Sequence, residues 1–150
     1  MDLPYYSLRS ARSRLWCTFY SEGPRGRILK AIRFVMVQAS PAVFNVTLGD
    51  VKIEFGEVDT LVVSNNGDRD KILRTVAESI ILFCRRYPQA YVLVSGNSPV
   101  RNRLYRMIIS NRINEIRQYC EIYGMIGLRG YPFRESQNYN GFLVKGLRKR

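Results

Sequence analysis

The feature that most limits how this chain can fold is a change of period near position 68. Before it, apolar residues alternate with other residues in short runs, and each run is closed by turn chemistry. Residues 15–21, 27–38, 43–48 and 59–64 read as strands. The breaks between them are Gly23-Pro24-Arg25-Gly26, Ser40-Pro41, Gly49-Asp50 and Asn65-Asn66-Gly67-Asp68. Strands so closely spaced are most simply an antiparallel meander. In 27–38 both alternating sets hold apolar residues, so part of that strand is expected to be covered on both faces. After position 68 the period becomes helical. Ile72, Val76, Ile80 and Phe83 recur on one face, joined by Leu73, Ala77 and Cys84. Asp68 and Asp70 at the start, Arg85 and Arg86 at the end, and Pro88 beyond define a helix over 69–86. A charge-free strand follows at 90–95. A second helix opens at Pro99 and could run to Tyr123, with Leu104, Ile108, Ile116 and Cys120 facing inward, Asn111 a possible interruption and Gly124 as its C-terminal cap. Residues 125–128 and 141–144 are expected to add edge strands. The predicted fold is α+β: a mixed, mainly antiparallel sheet with an N-terminal meander and two main helices packed on it, in the order βββ(β)-α-β-α-β.

The second helix breaks an electrostatic rule that the first obeys. Ser98 is a suitable N-cap and Pro99 a suitable first helical residue. The next turns, where bare N–H groups favour carboxylates, hold Arg101, Arg103 and Arg106 and no acid. Each guanidinium there is unfavourable by roughly a few tenths to 1 kcal/mol. Such a local conflict is expected where function requires it. A helix start with arginines can hold a phosphate, which makes Ser98, Arg101, Arg103 and Arg106 candidate contacts. Tyr105 would stack on a base or else rim the core. The competing arrangement pairs Arg101 and Arg103 internally with Asp59, Asp68 or Asp70.

Composition agrees with an anionic partner. The net charge is +12, from 24 Lys and Arg against 12 Asp and Glu, which favours nucleic acid first and an anionic membrane or acidic protein next. Charge is uneven: residues 50–70 hold Asp50, Glu54, Glu57, Asp59, Asp68 and Asp70, half of all acids, against Lys52 and Arg69. Residues 1–14, with Arg9, Arg12 and Arg14, are expected to form a basic arm, 15–145 a single domain, and 146–150 a basic tail. Arg25 would extend the basic face from the first hairpin. Cys17, Cys84 and Cys120 are widely spaced, and the chain has no histidine. A zinc site and a disulfide framework are therefore not indicated, and no bound metal or cofactor is expected. Met1-Asp2-Leu3-Pro4-Tyr5-Tyr6 lacks the basic and apolar regions of a signal peptide, and Ile80-Ile81-Leu82-Phe83-Cys84 is too short to span a bilayer. A reducing, cytoplasmic setting without membrane association is expected.

Ser64-Asn65-Asn66-Gly67-Asp68-Arg69-Asp70-Lys71 with Ala77, and Gly96-Asn97-Ser98-Pro99 through Arg101, Arg103, Leu104 and Tyr105, form two specific blocks. With Tyr20 through Gly26, Val43-Phe44-Asn45 and Gly49-Asp50, they resemble an uncharacterised bacterial family, mostly of Bacteroidetes, known only as a domain of unknown function. The family usually has Thr where this chain has Asn102, and often an Asp where it has Thr60. The resemblance implies a small cytosolic protein encoded beside a helix-turn-helix partner, as in toxin–antitoxin pairs. It supplies no catalytic residues.

The first expectation is a basic nucleic-acid-binding protein, RNA preferred, as the toxin of such a pair. Arg101, Arg103 and Arg106 would contact phosphate, Tyr105 a base, and Arg25 would add attraction. The second is a protein-interaction module whose basic face docks an acidic, antitoxin-like partner. The third is a metal-dependent nuclease of ribonuclease-H-like type using Asp59, Asp68, Asp70 and Glu78, although 15–21 has no acid where that plan wants one. Metal-free RNA cleavage stays open: its proton-transfer pair would have to come from Tyr, Lys, Glu or Arg, and Arg103, Tyr105 and Arg106 with Glu78 could hold the scissile phosphate and stabilise its extra charge.

Overall fold

The computed structural model describes residues 4–52, 57–59, 67–95 and 99–147. The strands are β1 (Arg9–Ser10), β2 (Trp16–Gly23), β3 (Gly26–Ala39), β4 (Ala42–Lys52), β5 (Glu57–Asp59), β6 (Tyr91–Val94), β7 (Cys120–Ile126), β8 (Arg129–Pro132) and β9 (Gly141–Gly146). The helices are α1 (Arg69–Arg86), α2 (Pro99–Asn111) and α3 (Ile113–Ile116). The sheet is mixed, ordered β1-β2-β3-β4-β6-β9-β7-β8, with β5 on β4 off that path. The chain is α+β with an N-terminal meander. No helix among the described residues is long and apolar enough to cross a membrane.

Contacts group the chain into two compact units, residues 1–35 with 46–86 and residues 36–45 with 87–150. In the first, β2 and β3 pair antiparallel from Trp16↔Arg33 to Gly23↔Gly26. Period two sorts β2 cleanly: Cys17, Phe19 and Ser21 are buried, while Trp16, Tyr20 and Glu22 are exposed. The two-residue hairpin Pro24-Arg25 ends at Gly26, whose φ of 86° lies in the left-handed region that favours glycine. Helix α1 has the bounds its caps and charges predict, and buries Ile72, Thr75, Ile80 and Phe83. Phe83 stacks on Phe34 of β3 with ring centroids 4.5 Å apart, fixing the helix against the inner sheet face. Lys30 on β3 reaches Asp50 on β4 at 2.5 Å, both side chains largely buried.

The N-terminal segment is tied into this unit. Tyr6 is buried, stacks on Phe19 and takes the Thr75 hydroxyl as acceptor for its N–H at 2.9 Å, and Arg9–Ser10 pair with Thr18 and Cys17. Of the expected strand 59–64, β5 reaches Asp59, and 60–64 lie outside the described residues.

In the second unit β6, β9, β7 and β8 are antiparallel neighbours, and Val43–Asn45 of β4 run parallel to Tyr91–Leu93 of β6. Ile113, Ile122, Phe133, Tyr139 and Phe142 form its core, with Val94, Tyr105, Ile109 and Ile116 packed against it. Three expectations are corrected here. The second helix ends at Asn111, resumes as the single turn α3, and gives way to β7 at Cys120. Gly124 lies inside β7, not at a helix end, and the Tyr139 ring occupies the space a Cβ would need. Strand β9 is not at an edge but lies between β6 and β7, with Phe142 and Val144 buried on one face.

Candidate functional site

The opening of α2 carries the predicted constellation, and its first turn contains no acidic residue. Ser98 and the side chain of Arg101 lie outside the described residues. Arg103 is exposed, and no ion pair among the described residues involves it. Arg106 is half-buried and donates a hydrogen bond to Asn138 Oδ1, a neutral partner, and no ion pair among the described residues involves it. Arg103 and Arg106 are three residues apart and so neighbours on one helical face. Tyr105 is half-buried and packs against the Phe133, Tyr139 and Phe142 cluster, which fits its core-rimming alternative. Arg25 belongs to the first unit, at the exposed tip of the β2–β3 hairpin.

Of the acids expected as internal partners, Asp68 and Asp70 contact other residues among those described. Asp68 Oδ2 accepts hydrogen bonds from the Tyr6 and Ser21 hydroxyls, both at 2.5 Å, while its Oδ1 is buried with no partner among the described residues. Burial, then the Asp68 hydrogen bond, raises the Tyr6 pKa above its ordinary value. Asp70 Oδ1 lies 3.8 Å from Arg69 Nε, and Glu78 pairs with Arg74 one turn earlier at 2.8 Å. The Asp59 side chain lies outside the described residues. Among the described residues no three His, Cys, Asp or Glu side chains converge as a metal site would require. All three cysteines are buried and none is in a disulfide, and burial pushes the Cys17 thiol up to about 11.

One surface escaped the reading of the sequence. The outer face of β1–β3 in the first unit presents Trp16 and Tyr20, each more than two-fifths exposed, among Arg9, Arg27 and Arg33. Trp16 sits directly across from Arg33, and the Arg27 guanidinium lies 4.1 Å above the Tyr20 ring centroid. An open groove of about 450 Å³ runs along this face, lined by Trp16, Thr18, Ala31, Arg33, Val35 and Val51 among others. The signal was available in the alternation of Trp16, Thr18, Tyr20 and Glu22 with buried neighbours.

No curated protein and no solved structure matches the chain. A family model described as a family of unknown function (DUF6934) matches residues 2–147. That match spans both sequence blocks and both structural units, so the chain belongs to this family of unknown function.

Proposed function

We propose that this protein binds nucleic acid, with RNA its preferred partner, and that the start of α2 is a phosphate-binding element. The observation that carries the reading is a helix opening that keeps arginines and no acid in a chain of net charge +12. Arg103 supplies an exposed charge, and Arg106, held by Asn138, supplies a positioned one. Three buried cysteines, none in a disulfide, fit a reducing, cytoplasmic setting.

Binding of a short RNA, followed by fluorescence anisotropy across a salt series, tests this. Affinity falls steeply as salt rises, and Arg103→Ala lowers both the affinity and the salt slope, by about one unit for one lost phosphate contact. A salt-independent affinity, or tight binding only to an acidic protein partner, overturns the reading.

A further inference from the structure

The outer face of β1–β3 combines features that an unpaired nucleic-acid strand needs, and it is distinct from α2. Its two exposed rings, Trp16 and Tyr20, project from the same face of one strand four residues apart. At the rise of an extended strand they stand about 13 Å from each other, with Thr18 between them. Arg33 lies across from Trp16, Arg9 across from Thr18, and Arg27 covers Tyr20. Glu22 is the one acid at these register positions, and it already lies 3.6 Å from Arg27. Such a face is cationic at its rim and aromatic at its centre. A groove lined by Trp16, Ala31 and Val51 gives a planar group room to lie against Trp16.

Building on the nucleic-acid reading, we propose that this face is a stacking platform for a single-stranded RNA segment. One base lies on Trp16 in the groove and a second on Tyr20, while Arg9 and Arg33 meet the phosphates. Charge complementarity selects a polyanion, and exposed rings select unpaired bases, because bases inside a duplex have no free face to offer. Thr18 sits between the two rings on the same face, where its hydroxyl would meet the sugar–phosphate chain joining the stacked nucleotides and a ribose 2′-OH would distinguish RNA from DNA.

Trp16 is the only tryptophan in the chain, so its emission reports directly on this face. The full-length protein is titrated at about 50 mM salt with a short oligouridine, with an RNA hairpin duplex, and with the matching DNA strand. The single-stranded RNA is expected to quench Trp16 saturably and to bind more tightly than the other two. Tyr20→Ala and Trp16→Ala are each expected to weaken binding about tenfold, and Trp16→Phe to retain most of it. Thermal melts of each variant report folding, and quenching of the wild type needs no variant. Binding that leaves Trp16 emission unchanged, or duplex bound as tightly as single strand, overturns this inference and leaves the proposed function standing. DNA bound as tightly as RNA overturns the choice of RNA. Emission that shifts with protein concentration alone identifies a second copy of the chain as the occupant and overturns the platform. Failure to bind any strand overturns the proposed function as well.

Discussion

Tyr6 and Asp68 show at the scale of single residues what a local reading misses. Asp68 precedes α1 and reads as a cap, yet its side chain accepts from Tyr6 and Ser21, 62 and 47 residues away in sequence. No spacing rule signals a contact of that range. The Tyr6 hydroxyl also accepts the Glu22 N–H at 3.0 Å. Tyr6→Phe therefore strands the Glu22 N–H and leaves Asp68 Oδ2 with the Ser21 hydroxyl alone, and is expected to lower unfolding free energy in urea by about 1–3 kcal/mol. Alkali should act at the same place and at Cys17. Both groups have folded-state pKa values raised by burial, Cys17 from 9.0 to about 11 and Tyr6 above 10.0. The folded protein holds these protons where the unfolded chain releases them. Their contribution is thus fully present below pH 9 and is lost as pH rises towards and past 11. Urea melts at pH 8 and pH 10 should show wild type losing more stability between the two than Cys17→Ala does. Equal losses would assign the alkaline sensitivity to other groups.

Whole elements were legible where local signals agreed, and ambiguous where two periods fitted the same residues. Helix α1 was readable because its apolar spacing, its terminal charges and Pro88 all mark one segment. Residues 113–124 offered no such agreement. Ile116 and Cys120 fit a helical face, yet Cys120, Ile122 and Gly124 also fit one face of a strand, and pairing with β9 decides for the strand. Gly124 separates the two descriptions. As a helix cap it would tolerate alanine with modest strain; inside β7 a methyl group meets the Tyr139 ring. Gly124→Ala is expected to destabilise by about 1–3 kcal/mol, and a Tyr139→Leu background should return part of that loss by making room. The β3–β4 pair Lys30–Asp50 offers a parallel test. Lys30→Met alone removes the ammonium from a largely buried carboxylate and is expected to be destabilising by about 3–5 kcal/mol, whereas replacing both partners with apolar residues should recover most of it.

At the scale of the whole molecule the balance of charge is plain from composition, but its distribution over surfaces is not. Arginine codons say nothing about which side chains share a face; the β2–β3 register does, by setting Arg33 beside Trp16 and Arg27 over Tyr20. An excess of +12 makes the folded state repel itself, so added salt should raise the melting temperature of the free protein by screening. An RNA that binds only the folded state stabilises it further, by about 2.7 kcal/mol at a hundredfold excess over its dissociation constant. The same salt weakens that binding, since it competes for the phosphates. Melting temperature should therefore rise with salt when the protein is alone and rise less, or fall, when RNA is present, so that the two curves converge near the salt at which binding is lost. Arg103→Ala and Trp16→Ala should each bring the convergence to lower salt, one through the start of α2 and the other through the sheet face. Parallel curves, separated equally at every salt concentration, would mean that charge does not carry the stabilisation, and the electrostatic basis of the proposed function would fall.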